Sequence, residues 1–355
     1  MEKICTTEKE EEMMKLNLTY VTEVLREIMA VDSPSGYTAK VMDVVEKKTQ
    51  ELGFGFEMTN KGNGVITVPG EDPEYVVGFS AHVDTLGLMV RSIKPNGALA
   101  FTVVGGPVLT TYDSELCRVH TRDGRVYDGT VYSTHPAKHV FKESGEERND
   151  QNLEVRLDED VTCKEDVLKL GIQVGDYICL DPKLVITPSG FIKSRFLDDK
   201  LSVAILLGLL EYLAANHKTP SHTIKIMLST YEEVGHGMSW IPQDIQELIA
   251  VDMGCVGSDL SCNEKMVSIC AKDSSGPYDY EITSRLAELA REEGLDYAID
   301  IYPYYSSDVS AALKGGQDIR GGLVGPGVFA SHAYERSSIA AVENTLKLLI
   351  AYVLN

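Results

Sequence analysis

Five separated stretches of the chain carry acids or imidazoles: "AHVD" supplies His82 and Asp84, "FLDDK" Asp198 and Asp199, "STYEEVG" Glu232 and Glu233, "AVDMG" Asp252, and "FASH" His332. Neighbouring carboxylates such as Glu232 and Glu233 repel, and desolvating each is costly unless a cation or hydrogen bonds compensate. Each residue alone has an ordinary reading. His82 is then a hydrogen-bonded histidine, Asp84 and Asp252 are turn formers, and one of Asp198 and Asp199 caps the apolar helix that follows. Taken together, these readings require five elements to bring unpaired acids and imidazoles to one place by accident, against their mutual repulsion.

A pair of divalent ions removes that difficulty. Histidines and carboxylates without cysteine suit zinc, cobalt or manganese better than a structural thiolate site. The H-x-D spacing in "AHVD" fits a ligating His82 whose second ring nitrogen is oriented by Asp84. Two ions about 3.5 to 4 Å apart need a bridging carboxylate, for which Asp198 and Asp199 are both candidates. One acid must stay off the ions to handle protons. Successive residues of a strand point to opposite sides, so Glu232 and Glu233 divide these tasks, one ligating and one facing the bound water. The same divergence weakens a glycosidase reading, in which two carboxyls face each other across one bond.

The elements that must carry these residues alternate between helix and strand. Helical periodicity over 15–31 and 37–53 is followed by the β-rich runs "NGVITVPG" and "EYVVGFSAHVD", the second almost wholly apolar, as in a sheet covered on both faces. "DDKLSVAILLGLLEYLAAN" is apolar on nearly every side and reads as a buried helix. Then come the strand "HTIKIMLS", "ELIAVDMG", the helix "SRLAELAREEG", "YAIDIYPYYSSD", "GGLVGPGVFASH" and a closing helix. Between about 93 and 190 the texture changes to short strands with Gly, Pro and Asp turns. The expected architecture is an α/β domain, residues 1–92 and 191–355, interrupted by a small all-β domain, residues 93–190. In open α/β sheets ligands sit beyond the carboxyl ends of the strands, where these acids and imidazoles fall.

Composition narrows the partners. The chain has 355 residues, 43% hydrophobic and 25% charged, enough for a large core, and a formal net charge of −21. That acidity leaves no basic face for nucleic acid or an anionic membrane. Seven cysteines, without a CxxC pair, indicate neither a disulfide framework nor a thiolate zinc site, and with no signal peptide or apolar span they point to the cytoplasm.

"AHVDTLG", "RFLDDK", "STYEEVG", "AVDMG" and "FASHAYE", in that order and with a β-domain after the first, resemble the M42 family of metallo-aminopeptidases, which includes tetrahedral and glutamyl aminopeptidases. The resemblance covers essentially the whole chain. It implies a two-metal exopeptidase fold, a central mixed sheet flanked by helices with the inserted β-domain. It implies His82 and Asp252 as terminal ligands of one metal, Glu233 and His332 of the other, Asp198 as the bridge, Glu232 as general base and Asp84 orienting His82. Asp199 then supports the helix turn after the bridge. The implied reaction is removal of the N-terminal residue from peptides with a free N-terminus, a metal-bridging water acting as nucleophile. Two ions per chain are implied, zinc first, with cobalt or manganese as alternatives. The β-domain by itself reads as a lid that shapes the cleft, while the resemblance implies a dimerisation module that builds homo-oligomers up to a tetrahedral dodecamer. A carboxypeptidase or N-acyl-amino-acid deacylase of the same clan, or a non-catalytic assembly protein on this scaffold, is the competing reading. The chain departs from the family pattern in three places: "YSSDVS" around Asp308 stands for Gly-Thr-Asp-Ala, "GVFASH" lacks an Arg-Tyr pair before the histidine, and the acid after it, Glu335, comes one residue early. Among the other histidines, His120, His135 and His139 read as surface or turn residues and His236 as a candidate cleft wall. Arg320 reads as solvated or in contact with an acidic substrate side chain.

Overall fold

The computed structural model describes residues 16–142 and 146–355. Four parallel strands form the middle of the main sheet, in the spatial order His222–Ser229, Asp72–His82, Glu247–Val251 and Arg320–Val328. Antiparallel strands extend it on both sides, Gly64–Val68 and Glu57–Met58 beyond the first, Val267–Asp273 beyond the last. Tyr297–Ile301 adds a parallel strand against Val267–Asp273. The sheet is therefore mixed, as expected.

The period of two decides the faces. Val77, Phe79, Ala81, Ile224, Ile226, Leu228, Ile249 and Val251 pack into the core shared with the helices Leu18–Met29, Leu197–Ala215, Tyr280–Glu292 and Ile339–Leu354. Val76, Met227, Leu248 and Ala250 form a smaller core with Met238, Ile241 and Ile245 and with Val309 and Ala312 of the short helix Asp308–Lys314. Leu197–Ala215 is buried along nearly its whole length because it lies between the sheet and the helices Leu18–Met29 and Ile339–Leu354. No helix among the described residues is long and apolar enough to cross a membrane.

The inserted unit is a closed barrel of Gly87–Ile93, Leu99–Val104, Leu153–Leu157, Val126–Ser133, Leu116–His120 and Tyr177–Leu180, in that spatial order. Its interior is filled by Leu88, Val90, Leu99, Phe101, Val119, Val131, Leu153, Val155 and Ile178, all essentially inaccessible. Its first strand begins at Gly87, ahead of the expected boundary at 93. Two of its strands are fastened to the loop after the first helix. Arg118 and His120 both hold the Asp32 carboxylate, at 2.6 to 2.8 Å, and the Tyr177 hydroxyl donates to the Ser35 carbonyl at 3.0 Å. His120, expected at the surface, is thus an interdomain contact.

A candidate two-metal centre

Parallel strands share one carboxyl edge, and that edge collects the site. Asp72–His82 ends on His82, paired in register with Ser229 at the end of its neighbour, three residues before Glu232. Asp252 follows Glu247–Val251 directly, and His332 lies in the turn after Arg320–Val328 with a left-handed φ of 64°. Asp198 and Asp199 enter from the start of the long helix, where both have non-helical dihedrals and a cis peptide joins them.

The structure brings every expected ligand to this edge. His82 Nε2 lies 3.0 Å from Asp198 Oδ1, while His332 Nε2 lies 3.5 Å from Asp198 Oδ2 and 3.6 Å from Glu233 Oε2. Glu232 Oε2 is 3.8 Å from His82 Nε2. Ligand atoms of His82, Asp198 and Glu233 lie within 4.8 Å of one another, and so do those of His82, Asp199 and Asp252. Asp199, to which the resemblance gave only the support of the helix turn, also faces the site; its Oδ2 accepts the His82 main-chain N–H at 3.2 Å.

Asp84 acts through both its groups. Its main-chain carbonyl, not its carboxylate, lies 2.8 Å from His82 Nδ1; the nearer carboxylate oxygen is 3.6 Å away. The carboxylate instead accepts the main-chain N–H groups of Glu232 and Glu233, at 3.1 and 3.2 Å, and the Ser35 hydroxyl at 2.5 Å. It thereby sets the turn that spreads the two glutamates. Glu335 does similar work, its two oxygens accepting the N–H groups of His332 and Asp198 at 3.0 and 3.1 Å. The register Ser194 opposite Glu335 in a small sheet delivers it there. Sequence reasoning noted Glu335 only as a departure in spacing, and strand pairing between positions as distant as 194 and 335 left no local signal.

The donor set fits metal ions. Both histidines place Nδ1 against a main-chain carbonyl, His82 at Asp84 and His332 at Gly106, each at 2.8 Å. Donation there leaves both Nε2 lone pairs aimed at carboxylates. A proton or a cation must then lie between. Without metal the protein supplies protons: burial opposes the charged imidazoles, but the Asp198 hydrogen bond raises His82 well above its usual range and His332 to about 10. Burial also raises the carboxyls of Asp199, Glu232 and Glu233 well above theirs, and Asp252 to about 7, with Asp198 adding to the shift at Asp252. Asp198 is the exception; burial acts upward on it, but His332 and His82 hold it low. Buried oxygens of Asp199 and Glu233 find no hydrogen-bond partner, as expected of atoms reserved for an ion.

Other sequence candidates lie elsewhere. His236 stacks on Tyr231 at 4.9 Å. Arg320 is tied to Glu247, Glu281 and Tyr75 at the opposite end of the strands. Asp308 was placed by its motif only; it is buried beneath the turn, accepting the Ser229 hydroxyl at 2.6 Å and the Met238 N–H at 3.0 Å.

Residues 62–348 match the M42 glutamyl aminopeptidase family, and the chain belongs to that family. It is 44% identical over 333 residues, 93% of its own length and 96% of the relative's, to YhfE of Bacillus subtilis (strain 168), named as an aminopeptidase. Its fold superposes on an aminopeptidase from the archaeon Desulfurococcus kamchatkensis with a TM-score of 0.85, at 21% identity, over 95% of each chain. It superposes on the Pyrococcus horikoshii TET1 peptidase, described as assembling into a tetrahedron or a large octahedral shell, with a TM-score of 0.83, at 21% identity, over 94% of this chain and 99% of that one. The chain is a peptide hydrolase of the aminopeptidase class.

Proposed function

We propose that this aminopeptidase works with two divalent ions, His82 and Asp252 ending one, Glu233 and His332 the other, and Asp198 spanning both. The observation that carries the reading is the Asp198 carboxylate, which presents one oxygen to His82 and the other to His332, at 3.0 and 3.5 Å. Asp199 reaches only the His82 and Asp252 side, so Asp198 is the better bridge. When bound, the ions would acidify a water and polarise the scissile carbonyl. Glu232 takes the proton from the attacking water as the carbon–oxygen bond forms, then delivers it to the amine nitrogen as the carbon–nitrogen bond breaks. Asp84 keeps Glu232 and Glu233 apart through their main-chain N–H groups. Zinc, cobalt and manganese all accept two histidines and three carboxylates.

We further assign the α/β frame on either side of the barrel to the catalytic unit, and the barrel, whose first strand starts at Gly87 rather than at the expected 93, to a lid and dimerisation module. Supporting the lid role, the loop leaving the barrel strand Leu99–Val104 places the Gly106 carbonyl on His332, and the Val108 N–H donates to the His332 carbonyl at 3.0 Å. Supporting the assembly role are exposed apolar side chains of the insert, Leu116 and Val126 on barrel strands and Val140 and Val174 in its loops. The six cysteines among the described residues are free, consistent with a reducing cytoplasm. The decisive test pairs metal analysis of the purified protein with a panel of aminoacyl p-nitroanilides, N-blocked peptides and substrates with a C-terminal reporter. Two ions per chain with cleavage of free-amine substrates alone is the expected result; cleavage of N-blocked substrates would transfer the chain to the deacylase or carboxypeptidase reading.

A further inference from the structure

We propose that Arg195 is a positioning residue: its guanidinium fastens the loop that leaves the barrel to the turn that carries His332, and so sets the affinity of the ion that His332 ends. The inference rests on the two-metal reading above and concerns a residue outside every role assigned so far. Arg195 follows the strand Phe191–Ser194 and stands just before Asp198 in the chain. It is 2% exposed, which leaves it no surface for substrate.

Two segments distant in sequence meet on its planar fork. Nη2 donates to the Thr111 carbonyl at 2.7 Å, and Nη1 donates to the Thr111 hydroxyl oxygen at 3.3 Å and to the Ala333 carbonyl at 3.4 Å. The guanidinium also lies over one aromatic ring from each segment, 5.1 Å from the centre of Tyr112 and 5.8 Å from that of Tyr334. Glu115, 3.4 Å away, balances the buried charge and is shared with Lys183. A lysine would supply the charge but not the fork, because a point-like ammonium lacks the planar set of donors that spans both segments.

Both segments act on His332. The barrel loop brings the Gly106 carbonyl to His332 Nδ1 at 2.8 Å and the Val108 N–H to the His332 carbonyl at 3.0 Å. The turn needs outside support, since Ala330 and His332 adopt left-handed φ of 60° and 64°, which residues with a Cβ hold only when their surroundings impose it. Glu335 gives part of that support by accepting the His332 N–H. Arg195 adds the bonds that join turn to loop. Without the fork the two are free to part, and the carbonyl that fixes the His332 ring leaves with the loop. Loss of such a partner weakens metal binding by about 10- to 100-fold. His82 takes its carbonyl from Asp84, on a different element, so the ion that His82 ends should be spared.

The test titrates Co²⁺ into metal-free full-length wild type, Arg195→Lys and Arg118→Lys, read by calorimetry and by the visible spectrum of the bound ion. Hydrogen exchange of residues 105–112 is followed in the metal-free proteins. Arg118→Lys is the control, because it disturbs the other seat of the barrel, the fork on Asp32. Expected are two equivalents in all three proteins, one of them about 10- to 100-fold weaker and spectrally altered in Arg195→Lys alone, with faster exchange of its 105–112 segment. Equal affinities and spectra in Arg195→Lys would overturn the inference, as would equal weakening of both ions, the same loss in Arg118→Lys, or weakening without faster exchange. Should Arg195→Lys not fold, Thr111→Val, which removes one acceptor of the fork, takes its place and should weaken the same ion by less; unchanged affinity there would overturn the inference. Fewer than two equivalents in wild type would instead sink the two-metal reading, and the inference with it.

Discussion

At the scale of single residues, the site separates groups that hold from the group that transfers. Glu232 Oε2 lies 3.8 Å from the His82 Nε2 that Asp198 approaches to 3.0 Å, so the proposed base stands one step behind the proposed ligands. Glu232→Gln keeps the shape and removes the proton acceptor. It should retain wild-type metal content while kcat falls by about 10²-fold or more; full activity would strip Glu232 of that role. Asp198→Ala removes the one carboxylate that reaches both histidines. Metal analysis after dialysis should find the protein depleted of both ions, and two remaining ions per chain would contradict the bridge. The identities and order of these residues were readable because each motif lies within a few positions of a strand or helix end. The actions of Asp84 through its carbonyl and of Glu335 on two main-chain amides were not, because hydrogen bonds to the main chain leave no mark on residue type.

At the scale of elements, the parallel strands do the positioning, and their closeness is enforced by glycine. A Cβ on Gly325 would stand 1.7 Å from the Asp252 carbonyl oxygen, while the Asp252 N–H bonds the Val324 carbonyl at 3.0 Å. Gly325→Ala should therefore push the Asp252 strand end aside, lowering metal content and Tm together, whereas Gly55→Ala should leave metal content alone because nothing lies near its Cβ. A second element-scale contact joins the barrel to the body. Burial acts to raise the Asp32 carboxyl, but hydrogen bonds from Arg118 and His120 outweigh it and hold the pKa well below the usual range. A carboxyl with a lowered folded pKa stabilises above its unfolded pKa, about 4, and loses that contribution as pH falls further. Asp32→Asn should thus lower Tm at pH 7, by an amount that shrinks as the pH drops below about 4; a constant difference would show that Asp32 titrates normally. None of this clasp was anticipated, because Asp32 and Arg118 are brought together only when the barrel folds back on the loop.

At the scale of the whole molecule, an acidic chain of net charge −21 carries an insert with exposed Leu116, Val126, Val140 and Val174. The assembly proposed above would bury such side chains in an interface. If the proposed assembly role holds, sedimentation velocity at micromolar concentration should give a homo-oligomer rather than a monomer. A stable monomer would dismiss the assembly claim. Replacing Leu116 and Val126 with Lys should shift the distribution to smaller species while metal content per chain stays at the wild-type value, since neither residue belongs to the metal site.

The chemistry proposed for this protein is written locally: which residue types recur at element ends, that together they suit cations, and that an α/β frame interrupted by a β-rich insert presents them. Period-two and helical patterns are properties of neighbouring residues, so "HTIKIMLS" and the buried helix Leu197–Ala215 could be read directly. What folding added depends on distance in space. The spatial order of the four parallel strands put His82, Glu232, Asp252 and His332 on one edge, and that order follows from packing both sheet faces. The pinned turn at Ser274 directed Tyr305 inward and Tyr304 outward, a choice that two identical side chains in succession cannot express.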